Sequence, residues 1–175
     1  MADNIDLLIQ KMCDKQEDEA FIYADKLAEI GGEEVLYKLI EVLKGEDYES
    51  AYLAARGLSA MEQNEAALDP LLEVIHDKSN KMRNGNFVQA LEGFDLSGSF
   101  VDILRIYLFG NFKSSTLAKE YLDYTEFDIT PRVIRKAEKH WHHFQNNSAN
   151  DQAFEIKKQE VEDIMTDLKG MFEEE

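Results

Sequence analysis

The sequence predicts an all-α protein built as a stack of helical hairpins. Three observations carry this. Apolar residues recur at steps of three and four, the helical period, and no convincing strand pattern interrupts them. Helix-length runs are separated by short polar turns rich in Gly, Asp and Asn. One hairpin pattern also returns along the chain: leucines near the end of each second helix, Leu27, Leu58, Leu91 and Leu122, stand 31, 33 and 31 residues apart. Such a period belongs to stacked helix pairs, because a lone hairpin cannot bury both of its faces.

The first copy, about residues 4–31, opens with a helix from Asn4 to Met12 whose stripe is Ile5, Leu8 and Met12. A polar turn, Asp14 to Asp18, leads to a second helix with Ala20, Tyr23, Ala24, Leu27 and Ile30 on one face. Gly31-Gly32 ends it, as C-terminal glycines do. The second copy, 32–62, repeats the register: Leu36, Leu39, Ile40 and Leu43, the turn Lys44 to Asp47, then Ala51, Ala54, Ala55 and Leu58. Counted from the anchor leucines, positions −22, −19 and −15 hold Ile5, Leu8 and Met12 in the first copy and Leu36, Leu39 and Leu43 in the second. Position −7 is small in both, Ala20 and Ala51, which lets neighbouring hairpins approach closely.

The third copy, 63–95, carries Leu68, Leu71, Leu72 and Ile75, the turn Asp77 to Asn80, then Phe87, Val88 and Leu91. Pro70 falls inside this pattern. Because Ala66, Ala67 and Leu68 already read as helix, a kink at Pro70 is expected rather than a start near Asp69. The fourth copy, 96–128, places Phe100, Ile103 and Tyr107 at −22, −19 and −15, turns at Gly110-Asn111, and has Ser115 at −7. The remaining segment, 129–175, leaves the pattern and reads as a helical cap on a single 175-residue domain. Thr130-Pro131 is a helix start. That helix runs to Gln145, with Val133, Ala137, Trp141 and Phe144 inward and Arg132, Arg135, Lys136, Lys139 and His143 outward. A last helix, Asp151 to Phe172, turns Val161, Ile164, Met165, Leu168 and Phe172 inward and ends in Glu173-Glu174-Glu175, a polar end suited to capping a stack.

Copies two to four resemble HEAT repeats in their shorter bacterial form. The third copy carries the likeness best: Leu71-Leu72, then Asp77-Lys78-Ser79-Asn80-Lys81-Met82-Arg83, with an aspartate opening the turn and an arginine six residues on. The other copies have Ser50 and Ser114 where this one has Arg83. The resemblance covers about two thirds of the chain. It implies a right-handed α-α superhelix of about four hairpins, second helices lining its concave face, and an Asp77–Arg83 link between neighbouring turns.

Charge narrows the function. Nineteen Lys and Arg face 36 Asp and Glu, a net charge of −17. Residues 1–60, 61–128, 129–150 and 151–175 carry −8, −6, +3 and −6. Such a field opposes nucleic acid, whose binding rests on cations neutralising phosphates, and opposes anionic membranes. Acids near the start stand where a leader needs bases, and no run approaches the roughly 18 apolar residues of a membrane span, so a cytoplasmic protein is expected. Cys13 is the only cysteine, which excludes an internal disulfide and marks a small apolar residue rather than a nucleophile.

No catalytic constellation assembles, and nothing points to a cofactor. His140 and His143 share a helix face, but two histidines fall short of the three or four convergent ligands a zinc site needs. The basic helix face could take an anion; in so acidic a chain, pairing with acidic neighbours inside the molecule is the default. Tyr23, Tyr52, Phe87 and Tyr121 or Tyr124 fall at or near equivalent places on second helices, where they form either a binding strip or core. The expected function is a non-enzymatic interaction module that holds a protein partner, basic by charge complementarity, on its concave surface. The candidate binding residues are these aromatics with Arg132, Arg135, Lys139, Trp141 and His143. One alternative is an immunity or antitoxin-type protein that captures a basic toxin. Another is an enzyme or nucleic-acid binder, since HEAT-like repeats also resemble those of bilin lyases and alkylation-repair glycosylases; that reading would gather His140, Trp141 and Glu138. Composition says nothing of oligomeric state.

Overall fold

The computed structural model describes residues 4–173. Among them the chain is all-helical, with ten α-helices and no strand. It divides into two compact units, Met1–Asp95 and Leu96–Glu175. The boundary falls where the third copy was expected to end. Of the acids noted at the chain ends, Asp3, Glu174 and Glu175 lie outside the described residues.

The first unit holds three hairpins: α1 (Ile5–Met12) with α2 (Ala20–Ile30), α3 (Gly32–Leu43) with α4 (Tyr48–Ala60), and α5 (Leu68–His76) with α6 (Gly85–Ala90). First helices pack on first helices, α1 on α3 and α3 on α5. Second helices pack on second helices, α2 on α4 and α4 on α6. The anchors Leu27, Leu58 and Leu91 are fully buried between these layers, with Leu39 and Leu71 opposite them. Each contributes roughly 2 kcal/mol by leaving water.

Local chemistry sets the boundaries. Asn4 and Asp47 cap α1 and α4 by accepting from the Leu7 and Ser50 amides. Gly31 and Gly32 take positive φ, 63° and 83°, and turn the chain between α2 and α3 where a Cβ would be strained. Three asparagines satisfy carbonyls that helix ends leave without partners. Asn64 donates to the Leu58 carbonyl at 2.9 Å, Asn80 to Val74 at 3.0 Å and Asn84 to Ile75 at 2.8 Å. Asn84 occupies the −7 position and is buried; its amide bond lets a polar group stand where other copies have small residues.

Several expectations change. The kink at Pro70 does not form. A short 3-10 turn, Glu65–Ala67, precedes α5, and Pro70 sits in the first turn of that helix, where a backbone N–H has no intrahelical acceptor to lose. Arg83 does not link to Asp77. Asp77 accepts from the Ser79 amide and hydroxyl at 2.8 and 2.7 Å, while Arg83 lies 4.7 Å over the Tyr48 ring and its carbonyl accepts from Tyr48 Oη at 2.9 Å. The tie to the preceding copy is aromatic, not ionic. Ile30 and Phe172, expected inward, are exposed.

In the second unit, α7 (Phe100–Phe109) pairs with α8 (Phe112–Tyr124), α9 (Pro131–Asn147) packs on α7, and α10 (Phe154–Glu173) packs on α9. Thr130 caps α9 through the Val133 amide, with Pro131 as its first residue. The last helix starts three residues later than expected, because Asp151 turns the chain by accepting from the Ala153 amide at 2.8 Å. Ile134 joins Ala137, Trp141 and Phe144 as the buried face of α9.

Two outcomes follow from this packing. A Cβ at Gly93 would collide with the Ser59 carbonyl of α4, so Gly93→Ala should lower stability by about 1–3 kcal/mol in urea unfolding. The Asp47 carboxyl is held down to about 2 by the Ser50 hydroxyl, Lys15 and the Ser50 amide. A depressed carboxylate stabilises the fold above its ordinary value near 3.8, and that contribution disappears as pH falls through about 2. Asp47→Asn keeps a cap but loses the charge that Lys15 and Ser50 favour, so it should lower stability at neutral pH and flatten the acid limb of the stability curve between those values.

Candidate functional site

The second helices of the first unit present the surface where an aromatic strip was expected. The strip divides by register. Phe87 is 1% exposed and packs edge-on against Tyr48 at 5.5 Å, so it belongs to the core. The reason is its offset: Phe87 stands four residues before its anchor, as do Ala54 and Ala118, both fully buried. Tyr23, at the same offset, is half-buried with the Lys26 ammonium 5.6 Å over its ring. Tyr52 stands six residues before its anchor, as does Phe21, which is 43% exposed. Sequence reasoning passed over Phe21.

It also passed over an ion pair. Arg56 donates through Nε and Nη2 to the two Asp25 oxygens at 2.8 and 2.9 Å, and its guanidinium lies 5.4 Å over Phe21. This bidentate fork joins α4 to α2. The signal was present: Asp25 and Arg56 both stand two residues before their anchors, so opposite charges meet in neighbouring copies.

A crevice of about 380 Å³ opens beside this pair, lined by Tyr52, Arg56, Ser59, Asn86, Gln89 and Glu92. It shares Asp25 and Ala60 with a second depression of about 620 Å³, where Glu29, exposed Ile30, Met61 and Glu62 gather at the ends of α2 and α4. Glu29, Glu62 and Glu92 are exposed. They stand in or near the C-terminal turns of α2, α4 and the short 3-10 helix Leu91–Gly93, and α2 and α4 have no base in their last turns. The negative helix ends and these carboxylates therefore reinforce one another, an arrangement that favours a cation.

In the second unit, Arg132, Arg135, Lys139 and His143 lie exposed on α9, with Lys136 among them. Trp141 does not join them. It is 6% exposed and stacks on Phe144 at 6.0 Å, and Phe144 stacks in turn on Phe154 at 5.3 Å. Its position continues the inward stripe Ile134, Ala137, Trp141, Phe144. The internal pairing expected for the basic face does not form: Arg132, Arg135, Lys136 and Lys139 meet no carboxylate among the described residues. Glu138, which points elsewhere, holds Lys169 of α10. Tyr121 is half-buried on α8, and Tyr124 at its end is 87% exposed.

A buried lysine was missed as well. Lys157 is 5% exposed, and its ammonium donates to the Leu108 carbonyl at 3.2 Å and to Asp151 at 2.9 Å. It lies about one helical turn before Val161 and extends the inward stripe of α10. Beside it the Tyr107 phenol donates to Glu160; burial and this bond push Tyr107 well above its ordinary value. Both residues border a mostly apolar cleft of about 530 Å³ flanked by exposed Phe112 and Ile156.

Among the described residues, no group of three or more His, Cys, Asp or Glu is arranged to hold a metal, and no helix is long and apolar enough to cross a membrane. Cys13 is half-buried at the end of α1. No family model, curated protein or solved structure matches the chain.

Lys157→Met should lower stability by about 2–3 kcal/mol, since it strips a charged donor from a buried carbonyl and from Asp151. Lys157→Arg, which keeps the charge but not the shape, should recover only part of this in the same unfolding measurement.

Proposed function

We propose that this chain is a non-enzymatic protein-interaction module, a HEAT-like right-handed superhelix that holds a basic partner on its second-helix surface. One observation carries the reading. Glu29, Glu62 and Glu92 stand beside the C-terminal ends of neighbouring second helices, with no base in the last turns of α2 and α4, along two adjoining depressions. Those carboxylates oppose the helix dipoles and cost stability in the free protein. A lysine or arginine from a partner would relieve that repulsion, and exposed Phe21, Ile30 and half-buried Tyr52 supply apolar contact around it.

The immobilised protein, challenged with total cell protein, should retain basic polypeptides, and Glu29→Lys/Glu62→Lys/Glu92→Lys should release them while keeping its helical circular dichroism. Retention of the same polypeptides by both forms, or of small molecules or DNA alone, would sink the reading. The enzymatic alternative has less support, since Trp141 is buried and Glu138 is engaged by Lys169.

A further inference from the structure

The outward face of α9 departs from the electrostatic habit of the rest of the chain. Elsewhere most bases meet carboxylates, as Lys15 does Asp47, Arg56 does Asp25 and Lys119 does Asp123, or lie over rings, as Lys26 and Arg83 do. On α9, Arg132, Arg135, Lys136 and Lys139 are all exposed and none meets a carboxylate among the described residues. At about 100° per residue they share, with His143, an arc about 100° wide. Glu138, the helix's single acid, lies outside that arc and is held by Lys169.

This arrangement is unfavourable in the free protein. Arg132 with Lys136 and Arg135 with Lys139 are like charges one turn apart, each pair destabilising a helix by about 0.2–0.5 kcal/mol. Arg132 also sits in the first turn, against the positive end of the helix dipole. A single acid would relieve it in a chain with 36 of them. Local rules broken without local compensation mark places where something else compensates.

We propose that this face docks an acidic helix of a partner protein. The cations recur once per turn, a rise of about 5.4 Å, which is the spacing at which a facing helix repeats its own carboxylates. A helix is about 10 Å across and fits the stripe alone. Nucleic acid fits worse. Its phosphates would flank α9, yet α10, packed against it, exposes Glu155, Glu162 and Asp163. The helix's own stacking ring, Trp141, is turned into the core. The inference is independent of the basic partner proposed for the first unit, since it uses none of the same residues.

The test uses a labelled 20-residue helical peptide with glutamates along one face, a scrambled peptide of the same composition, and a 20-base-pair DNA duplex. Each is titrated into the full chain and into Arg135→Glu/Lys139→Glu at low and high salt, and both proteins are heat-unfolded. The patterned peptide should bind better than the scrambled one, lose at least tenfold on the double variant, and weaken with salt. The double variant should unfold at a higher temperature than the parent, because it breaks up the repulsion. Equal binding by parent and variant, no preference for the patterned peptide, tighter binding of the duplex, or a variant that unfolds earlier would each overturn the proposal.

Discussion

The first unit depends on how closely other helices approach α4. That helix is touched by α2, α3 and α6, and the side chains it offers them are small: Ala51, Ala54, Ala55 and Gly57 are all buried. At Gly57 a Cβ would press on Leu39 at 3.2 Å and on the Ala24 carbonyl at 3.3 Å. On another side, Gly93 lets the end of the third hairpin reach the Ser59 carbonyl. Asn64 then ties the two together, donating to Leu58 at 2.9 Å and to Gly93 at 3.0 Å. The small residues give proximity and the buried amide gives direction, since its bonds form only in one register. With that seam closed, the second helices lie side by side and their outward positions form one continuous surface.

That surface explains which parts of the molecule could be read from the sequence. The Thr130 cap was legible because a cap depends on one residue and its near neighbours; Asn4 and Asp47 cap helices by the same local chemistry. The hairpin pairing in the first unit was legible because the anchor leucines keep their spacing, and Leu27, Leu58 and Leu91 are all fully buried; in the second unit α7 and α8 pair although Leu122 is only half-buried. The superhelix itself and its hand remain the resemblance's implication. Contacts between copies were harder. Periodicity sorts residues into inward and outward, but a second helix in a layer has neighbours on two sides, and its flanks are core as well. Phe87 and Trp141 lie on such inward positions, while Tyr52 and Phe21 lie two residues away in register, where the helix faces outward. Comparing offsets between copies, rather than faces within one helix, would have set Phe87 apart from Tyr52 and found Asp25 opposite Arg56.

The other misreadings share a cause. Arg83 was expected to meet Asp77 and Lys157 was passed over, but each lies against rings: Arg83 over Tyr48, Lys157 near the Tyr107 and Phe144 rings at 5.9 and 6.0 Å. Long basic side chains have apolar stems and cationic ends, so an inward helical position can accept one wherever a carbonyl and an acid wait at its tip. Leu108 and Asp151 provide that for Lys157. The basic face of α9 fails the same condition. Its bases are exposed, and the helix's own acid, Glu138, is taken by Lys169.

Both proposed surfaces therefore rest on the same physical departure. At the ends of α2 and α4, acids stand at the negative poles of helices; at the start of α9, a base stands at the positive pole. Each reverses what helix electrostatics prefer, and each is small, a fraction of a kcal/mol per charge at an exposed site. A fold stabilised by several kcal/mol tolerates such terms easily. Their importance lies in sign. An internal carboxylate or ammonium would have neutralised either patch, and elsewhere in the molecule this happens repeatedly. Where it does not, the uncompensated field extends outward for about a Debye length and remains available to a partner of opposite charge.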